Sequence, residues 1–191
     1  HASLLSLIAK KVSDQKFFAL IGAIFETFEA TPGKGLPLGN VTSQLFANIY
    51  LNELDQFVKH ELNARFYIRY CDDFVILYPE RELLEIFTRR ISDFLHNELK
   101  LALHPNKVSI RKLSLGTDFL GYVSLPHYRV LRTRTKKRML KRLAKIANET
   151  KTKEDFLAIF PIIQSYFGIL SHCAGLKIKE QLRKIFVWLK N

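Results

Sequence analysis

Apolar side chains recur at helical spacing through the first thirty residues, at Leu4, Leu7, Ile8, Phe17, Phe18, Leu20, Ile21, Ile24, Phe25 and Phe28. The pattern predicts two amphipathic helices broken near Ser13-Asp14, with Ser13 as candidate cap of the second. The run Thr31-Pro32-Gly33-Lys34-Gly35-Leu36-Pro37-Leu38-Gly39 is too rich in Gly and Pro for a helix or a central strand and reads as a loop. Beyond it, Thr42 or Ser43 is placed to cap a helix reaching about His60 and burying Phe46, Ile49, Tyr50, Leu54, Phe57 and Val58. Phe66 to Tyr70 and Phe74 to Tyr78 are short β-rich runs separated by Cys71-Asp72-Asp73, the pattern of a hairpin with a tight turn. Helical period returns from Glu80 to Leu99, and Lys107 to Arg111 and Thr117 to Ser124 read as further strands, the second punctuated by Gly121. After Pro126 the pattern is helical only, over about 132–148, 153–170 and 176–190. The class is therefore α+β, with a boundary near Leu125 to Arg129 separating a mixed body, residues 1–128, from an all-helical domain, residues 129–191.

Composition narrows the classes. With 191 residues, 48% apolar and 25% charged, the chain supports one or two domains with a real core and is unlike a disordered or fibrous protein. No run of roughly 18 apolar residues is present, so no segment is expected to span a membrane. Cys71 and Cys173 lie far apart without a Cys-x-x-Cys pairing, which leaves neither a disulfide framework nor a thiolate zinc site and makes a reducing cytoplasm the expected compartment. The chain opens on His1 rather than Met, with no secretory signal pattern, as a trimmed or partial chain would.

Charge is concentrated in one stretch. Of the net +12, Arg129 to Lys153 carries +10, from eleven basic residues and the single acid Glu149. Met139, Leu140, Leu143, Ile146 and Ala147 within it follow helical spacing and put the basic residues on the opposite face. Such a cationic ridge suits a polyanion, because each Lys or Arg set on a phosphate releases a condensed counterion. The bland alternative is a helix face that is simply solvated.

Asp72 and Asp73 are the candidate catalytic and metal-binding residues. On a regular strand consecutive side chains face opposite ways, whereas in a tight turn both can reach one ion. Magnesium takes hard oxygen ligands and is held by one or two carboxylates plus phosphates and waters. Paired ions can then activate a hydroxyl and stabilise the leaving oxygens of an in-line phosphoryl displacement. An ordinary solvated Asp-rich turn is the alternative.

Arg69-Tyr70-Cys71-Asp72-Asp73-Phe74-Val75-Ile76-Leu77 resembles the Tyr-x-Asp-Asp hairpin of reverse transcriptases. Three further segments resemble the family's motifs in order. These are Gly35-Leu36-Pro37-Leu38-Gly39-Asn40-Val41-Thr42-Ser43-Gln44 leading into Leu45 to Leu51, then Leu103-His104-Pro105-Asn106-Lys107, then Phe119-Leu120-Gly121-Tyr122. The resemblance covers residues 33–122 and implies a polymerase palm, an antiparallel sheet with helices on one face, followed by a helical thumb. It implies an RNA-directed DNA polymerase using two magnesium ions, or manganese, with an RNA template, a DNA primer and deoxynucleoside triphosphates. Leu38, Gly39, Ser43, Gln44 and Lys107 would then form the nucleotide pocket, with Lys107 near the pyrophosphate leaving group. Gly121 and Tyr122 would form the primer grip, while Arg134, Lys137 and Lys141 on the basic helix would hold the template-primer backbone. Ser165-Tyr166-Phe167-Gly168 resembles a thumb segment of bacterial retroelement enzymes, or is a plain core helix face.

Within the family, bacterial group II intron and retron enzymes show Pro-Gln-Gly and then Ser-Pro at the loop-to-helix motif. Here Leu38 stands at the Gln position and Gln44 at the Pro position, which resembles the reverse transcriptases of diversity-generating retroelements and implies error-prone copying of template adenines. A small basic accessory protein is a further implied partner. The family's first catalytic Asp, on a strand before a helix-opening His, has no counterpart, since Asp14 and Asp55 fall in helical patterns. The 191-residue chain alone is therefore expected to be inactive. Two other classes stay open: a non-catalytic nucleic-acid-binding module, and another two-metal phosphotransferase such as a nuclease, for which Asp118 is the nearest further acid.

Overall fold

The helices α1 (Ala2–Ala9) and α2 (Gln15–Glu26) form where the periodicity places them, in a computed structural model that describes residues 1–27, 31–36, 40–150 and 152–185. Asp14, rather than the expected Ser13, caps α2: its carboxylate accepts the Lys16 and Phe17 amides at 2.8 and 3.2 Å. Its negative charge also complements the positive end of the helix. Leu4, Ile8, Ile21 and Phe25 pack with Phe46 of α3 (Val41–Gln56) as one buried cluster. The cap of α3 is Asn40, whose backbone is extended and whose side-chain oxygen accepts the Thr42 amide at 3.2 Å. Thr42 and Ser43, the expected caps, lie inside the first turn. The helix runs on as a wider π turn, Phe57–Glu61, which ends with the Leu62 amide donating to the Phe57 carbonyl at 3.1 Å.

The strands β1 (Phe66–Tyr70) and β2 (Asp73–Leu77) pair antiparallel with Tyr70 opposite Asp73, and α4 (Arg81–Asn97) follows. Alternation sorts the hairpin by face. Tyr67, Phe74 and Ile76 pack on a core of Leu54, Phe57 and Val58 from the α3 region and Phe87, Ile91 and Leu95 from α4. Phe66, Ile68 and Tyr70 on the other face are exposed. The result is an antiparallel pair of strands with helices on one face, as expected. The expected strand over Lys107 to Arg111 does not form: residues 105–107 make a turn, and among the described residues no strand pairs with the segment.

The contacts divide the chain into two units, His1–Ile110 and Arg111–Asn191. In the second, β3 (Thr117–Phe119), β4 (Tyr122–Ser124) and β5 (Arg129–Leu131) form an antiparallel sheet in that order. The stretch 117–124, which the pattern reads as a strand and whose Phe119 to Tyr122 resembles a primer-grip hairpin, is thus a hairpin. It turns at Leu120-Gly121, both with positive φ (51° and 85°), a two-residue turn of the mirror-image kind that matches the twist of paired strands and favours glycine. The strand β5 corrects the expectation of helices alone after Pro126; three residues are too few to show an alternating pattern. Helices α5 (Thr133–Glu149), α6 (Lys153–Ser171) and α7 (Leu176–Ile185) complete the unit. Residues 186–190 of the expected last helix lie outside the described residues. Leu131 of the sheet is buried with Met139, Leu143, Ile163, Leu170 and Leu182, and Tyr122 packs against them. This shared core is why residues 111–128 group with the helices, although composition alone sets the boundary near 128.

The mixed α+β class is as the sequence predicts, and among the described residues no helix is long and apolar enough to cross a membrane. Leu143 is fully buried and Leu157 is 63% exposed. Leu143→Ala is expected to cost about 3 kcal/mol by the cavity it leaves, and Leu157→Ala less than about 0.5 kcal/mol, both read as shifts in urea unfolding followed by circular dichroism.

Candidate active site

The two acids sit where the hairpin reverses. Cys71 and Asp72 form the two-residue turn between the paired Tyr70 and Asp73, and Cys71 adopts a left-handed φ of 53°. Asp73 opens β2 on the same face as Tyr70, away from the helical core. Both carboxylates are exposed, and among the described residues neither has a hydrogen-bond or ion-pair partner. The donor set is therefore two adjacent hard oxygen ligands facing water, which fits a magnesium ion that takes its remaining ligands from water and phosphate. Among the described residues no group of three His, Cys, Asp or Glu side chains stands within metal-binding reach.

Beneath the turn lies a polar network that the sequence reading passes over. Arg69 on β1 holds Asp55 of α3 with two contacts, Nε to Oδ1 at 2.8 Å and Nη2 to Oδ2 at 2.5 Å. Its Nη1 donates to Asn48 Oδ1 at 3.1 Å and to the Cys71 carbonyl at 2.8 Å. The Tyr67 hydroxyl donates to Asp55 Oδ1 at 2.6 Å. The Arg69 side chain is 10% exposed and that of Asp55 27%. Burial pushes the Asp55 carboxyl up, but hydrogen bonds from Arg69 and Tyr67 and the Arg69 charge outweigh it and hold it below its ordinary value. Burial and the Asp55 carboxylate together push the Tyr67 hydroxyl well above the ordinary tyrosine value. The Asp55 hydrogen bond and charge hold the Arg69 guanidinium more firmly protonated. A signal existed in the sequence: Asn48 and Asp55, two turns apart, share one face of a helix, and Tyr67 and Arg69, two apart, share one face of a strand.

The remaining candidates divide between the two units. Ser43, half-buried, and Gln44, exposed, lie in the first turns of α3, and Lys107 is exposed in the turn after Pro105. Leu38 and Gly39 fall outside the described residues. In the second unit Gly121 occupies the β3–β4 turn, and a β-carbon built there would meet nothing within 4 Å, so that surface is open to another backbone. Tyr122 next to it is engaged: its hydroxyl donates to the Ile169 carbonyl at 3.0 Å and the Arg129 guanidinium lies 5.2 Å over its ring. Arg134, Lys137 and Lys141 are exposed on α5, whose opposite side buries Met139 and Leu143. Asp118 is paired with Arg132, which binds its Oδ1 through Nε at 2.7 Å and Nη2 at 2.5 Å.

The depressed Asp55 carboxyl sets the sign of a pH effect. Its stabilisation is complete above the ordinary value of 3.8 and is lost as pH falls through the lower folded-state value. Asp55→Asn should lower stability by about 1–2 kcal/mol at neutral pH. It should also flatten the loss of stability below about pH 4, as measured by urea unfolding across the acid range.

Comparison with known proteins places this geometry. The sequence profile described as reverse transcriptase (RNA-dependent DNA polymerase) matches residues 10–124, which include the acidic turn, the loop before α3 and the β3–β4 hairpin. Protein YkfC of Escherichia coli strain K12 is 26% identical, over 64% of this chain and 42% of its own length. Group II intron-encoded protein LtrA of Lactococcus lactis subsp. cremoris is 26% identical, over 64% of this chain and 32% of its own. An uncharacterised 91 kDa protein in the cob intron of Schizosaccharomyces pombe is 33% identical across 66 residues. The chain thus spans less than half the length of these relatives. With the profile covering more than half of its residues, the chain belongs to the reverse transcriptase (RNA-dependent DNA polymerase) family.

Proposed function

We propose that the protein is part of an RNA-directed DNA polymerase of a bacterial retroelement, acting in the cytoplasm, with residues 1–128 as partial fingers and palm and 129–191 as thumb. The observation that carries this is the pair of exposed carboxylates, Asp72 and Asp73, without a partner among the described residues, on a hairpin whose other face packs on α3 and α4. In the reaction the 3′ oxygen of a DNA primer forms a bond to the α-phosphorus of a deoxynucleoside triphosphate. The bond to pyrophosphate breaks, and the hydroxyl proton leaves to water. Asp72 and Asp73 would hold the magnesium or manganese ions, which when bound lower the charge on the reacting phosphate and favour the hydroxyl as nucleophile. Its third carboxylate this reading takes from outside the 191 residues. Ser43 and Gln44, with Leu38 and Gly39 before them, would line the nucleotide site, and Lys107 would meet the pyrophosphate as a point charge. The open surface at Gly121, beside Tyr122, would let the primer strand approach.

The exposed cations of α5 would bind the RNA template and DNA primer through their phosphates. Leu38 and Gln44 support an origin in a diversity-generating retroelement, with the small basic accessory protein that such an origin implies. An aliphatic Leu38 offers the nascent pair no hydrogen bond, so mispairs lose less relative to correct pairs. A second reading, an intron-type enzyme, is favoured by the similarity to LtrA; Leu38→Gln separates them, raising fidelity at template adenines under the first reading and leaving it unchanged under the second.

In primer extension by the full-length protein, Asp72→Ala and Asp73→Ala should each reduce incorporation by at least about 100-fold. Activity that survives both changes rules out the ion assignment and leaves a nucleic-acid-binding module. Replacing Arg134, Lys137 and Lys141 together by Ala should lower the slope of log affinity against log salt by about 2 to 3 for a primed RNA template. An unchanged slope removes α5 from the interface.

A further inference from the structure

Arg69 reaches the backbone of the acidic turn itself. Its Nη1 donates to the carbonyl of Cys71 at 2.8 Å, and that carbonyl lies in the same rigid peptide plane as the Asp72 amide. Cys71 stands at a φ of 53°, a left-handed conformation that a residue with a side chain adopts at a cost and keeps only when its surroundings hold it there. Asp73 is fixed separately, by pairing with Tyr70 in the β ladder. The two carboxylates thus depend on different constraints: the sheet sets Asp73, and the Arg69 fork sets the plane that carries Asp72.

The fork is itself set from α3. Four of the five guanidinium N–H groups are engaged, two by Asp55, one by Asn48 and one by the Cys71 carbonyl. Asp55 therefore does two things. It orients the guanidinium through two parallel bonds, and it supplies the counter-charge at the guanidinium's own position. A cation without that partner, already bound to the carbonyl of the residue before Asp72, would be drawn to the turn carboxylates and would compete there with a metal ion.

We propose that Asp55 and Arg69 form a positioning pair for the acidic turn, holding the Cys71–Asp72 peptide in place while keeping the Asp72 and Asp73 carboxylates free for a divalent cation. The pair acts through the turn and touches no reacting atom, so these are positioning residues and not catalytic ones. The cation half of the inference rests on the polymerase reading above; the conformational half does not.

The test uses the 191-residue chain, labelled for amide NMR and titrated with manganese. Arg69→Gln and Asp55→Asn should move and broaden the Cys71, Asp72 and Asp73 amide signals before any metal is added. They should also weaken paramagnetic broadening at those residues by about tenfold in apparent Kd, the scale on which supporting groups affect metal sites. Arg69→Lys keeps the charge but is shorter and has one donor nitrogen in place of the planar fork, so it cannot reproduce the two parallel bonds to Asp55 with those to Asn48 and the carbonyl, and it is expected to fall between wild type and Arg69→Gln. It replaces Arg69→Gln as the deciding variant if the latter does not fold. Tyr50→Phe removes a hydrogen bond to the Leu99 carbonyl in the same unit and reports a merely structural effect; it should leave both readouts within about twofold of wild type. Turn amides that stay in place in Arg69→Gln, or a Tyr50→Phe effect of equal size, overturn the positioning role. Wild-type protein whose turn amides are not broadened by manganese overturns the cation half and the ion assignment under it, while the metal-free amide shifts still decide whether the pair holds the turn.

Discussion

Two carboxylates on neighbouring residues repel each other, and a folded chain ordinarily relieves such a pair with a nearby base or a set of amides. Here the relief is absent among the described residues, as it is for the exposed Asp93, although the same chain supplies it to four other aspartates. Asp14 takes two amides at the start of α2, Asp55 takes an arginine and a tyrosine, Asp118 takes Arg132, and Asp155 closes a capping box with Thr152. Each of those residues has a structural task, which Asp72 and Asp73 lack. Their repulsion is retained at a fixed place, and a cation is the species that would relieve it.

The rest of the first unit is arranged so that this place stays fixed. A two-stranded hairpin is marginal in water by itself. Partial burial of Tyr67, Phe74 and Ile76 against α3 and α4 holds one face of it, each contributing a fraction of the about 1.5–3 kcal/mol that full burial of a large apolar side chain is worth. Packing of this sort fixes the plane of the strands but not the orientation of a two-residue turn beyond their end. The polar contacts from α3 through Arg69 extend the fixed region to the turn. Helix α3 therefore has a double role, apolar through Leu54 and polar through Asn48 and Asp55, and the wider turn at Phe57–Glu61 ends it where Val58 and Leu62 still face the core.

Elements whose hydrophobic spacing is strong were legible in the sequence. The helices α1 to α7 and the β1–β2 hairpin lie close to their expected ranges, because each buries a stripe or face that the pattern displays. What the pattern hid was of three kinds. Short strands such as β5 are below the length at which alternation can be seen. Caps depend on which residue takes the extended backbone, so Asp14 and Asn40 were passed over for neighbours of similar propensity. The Asp55–Arg69 contact joins residues fourteen apart on different elements, and Asp55 read alone is one more polar residue on a helix. Lys107 to Arg111 is the reverse case: the alternation is present, but among the described residues no strand pairs with it, and sequence pattern does not report pairing. The acidic turn was legible because its chemistry is local, two acids at a reversal point.

The basic helix α5 follows the same logic with the opposite sign. Lys145 pairs with Glu149 at 3.7 Å on an exposed surface, and Arg132, just before the helix, pairs with Asp118. Arg134, Lys137, Arg138, Lys141 and Arg142 have no ion-pair partner among the described residues. Crowding like charges on one helix opposes its stability, and the core contacts of Met139 and Leu143 have to offset that. Under the polymerase reading proposed above, nucleic-acid phosphates would offset the arginines and lysines of α5, and divalent ions would separately offset Asp72 and Asp73.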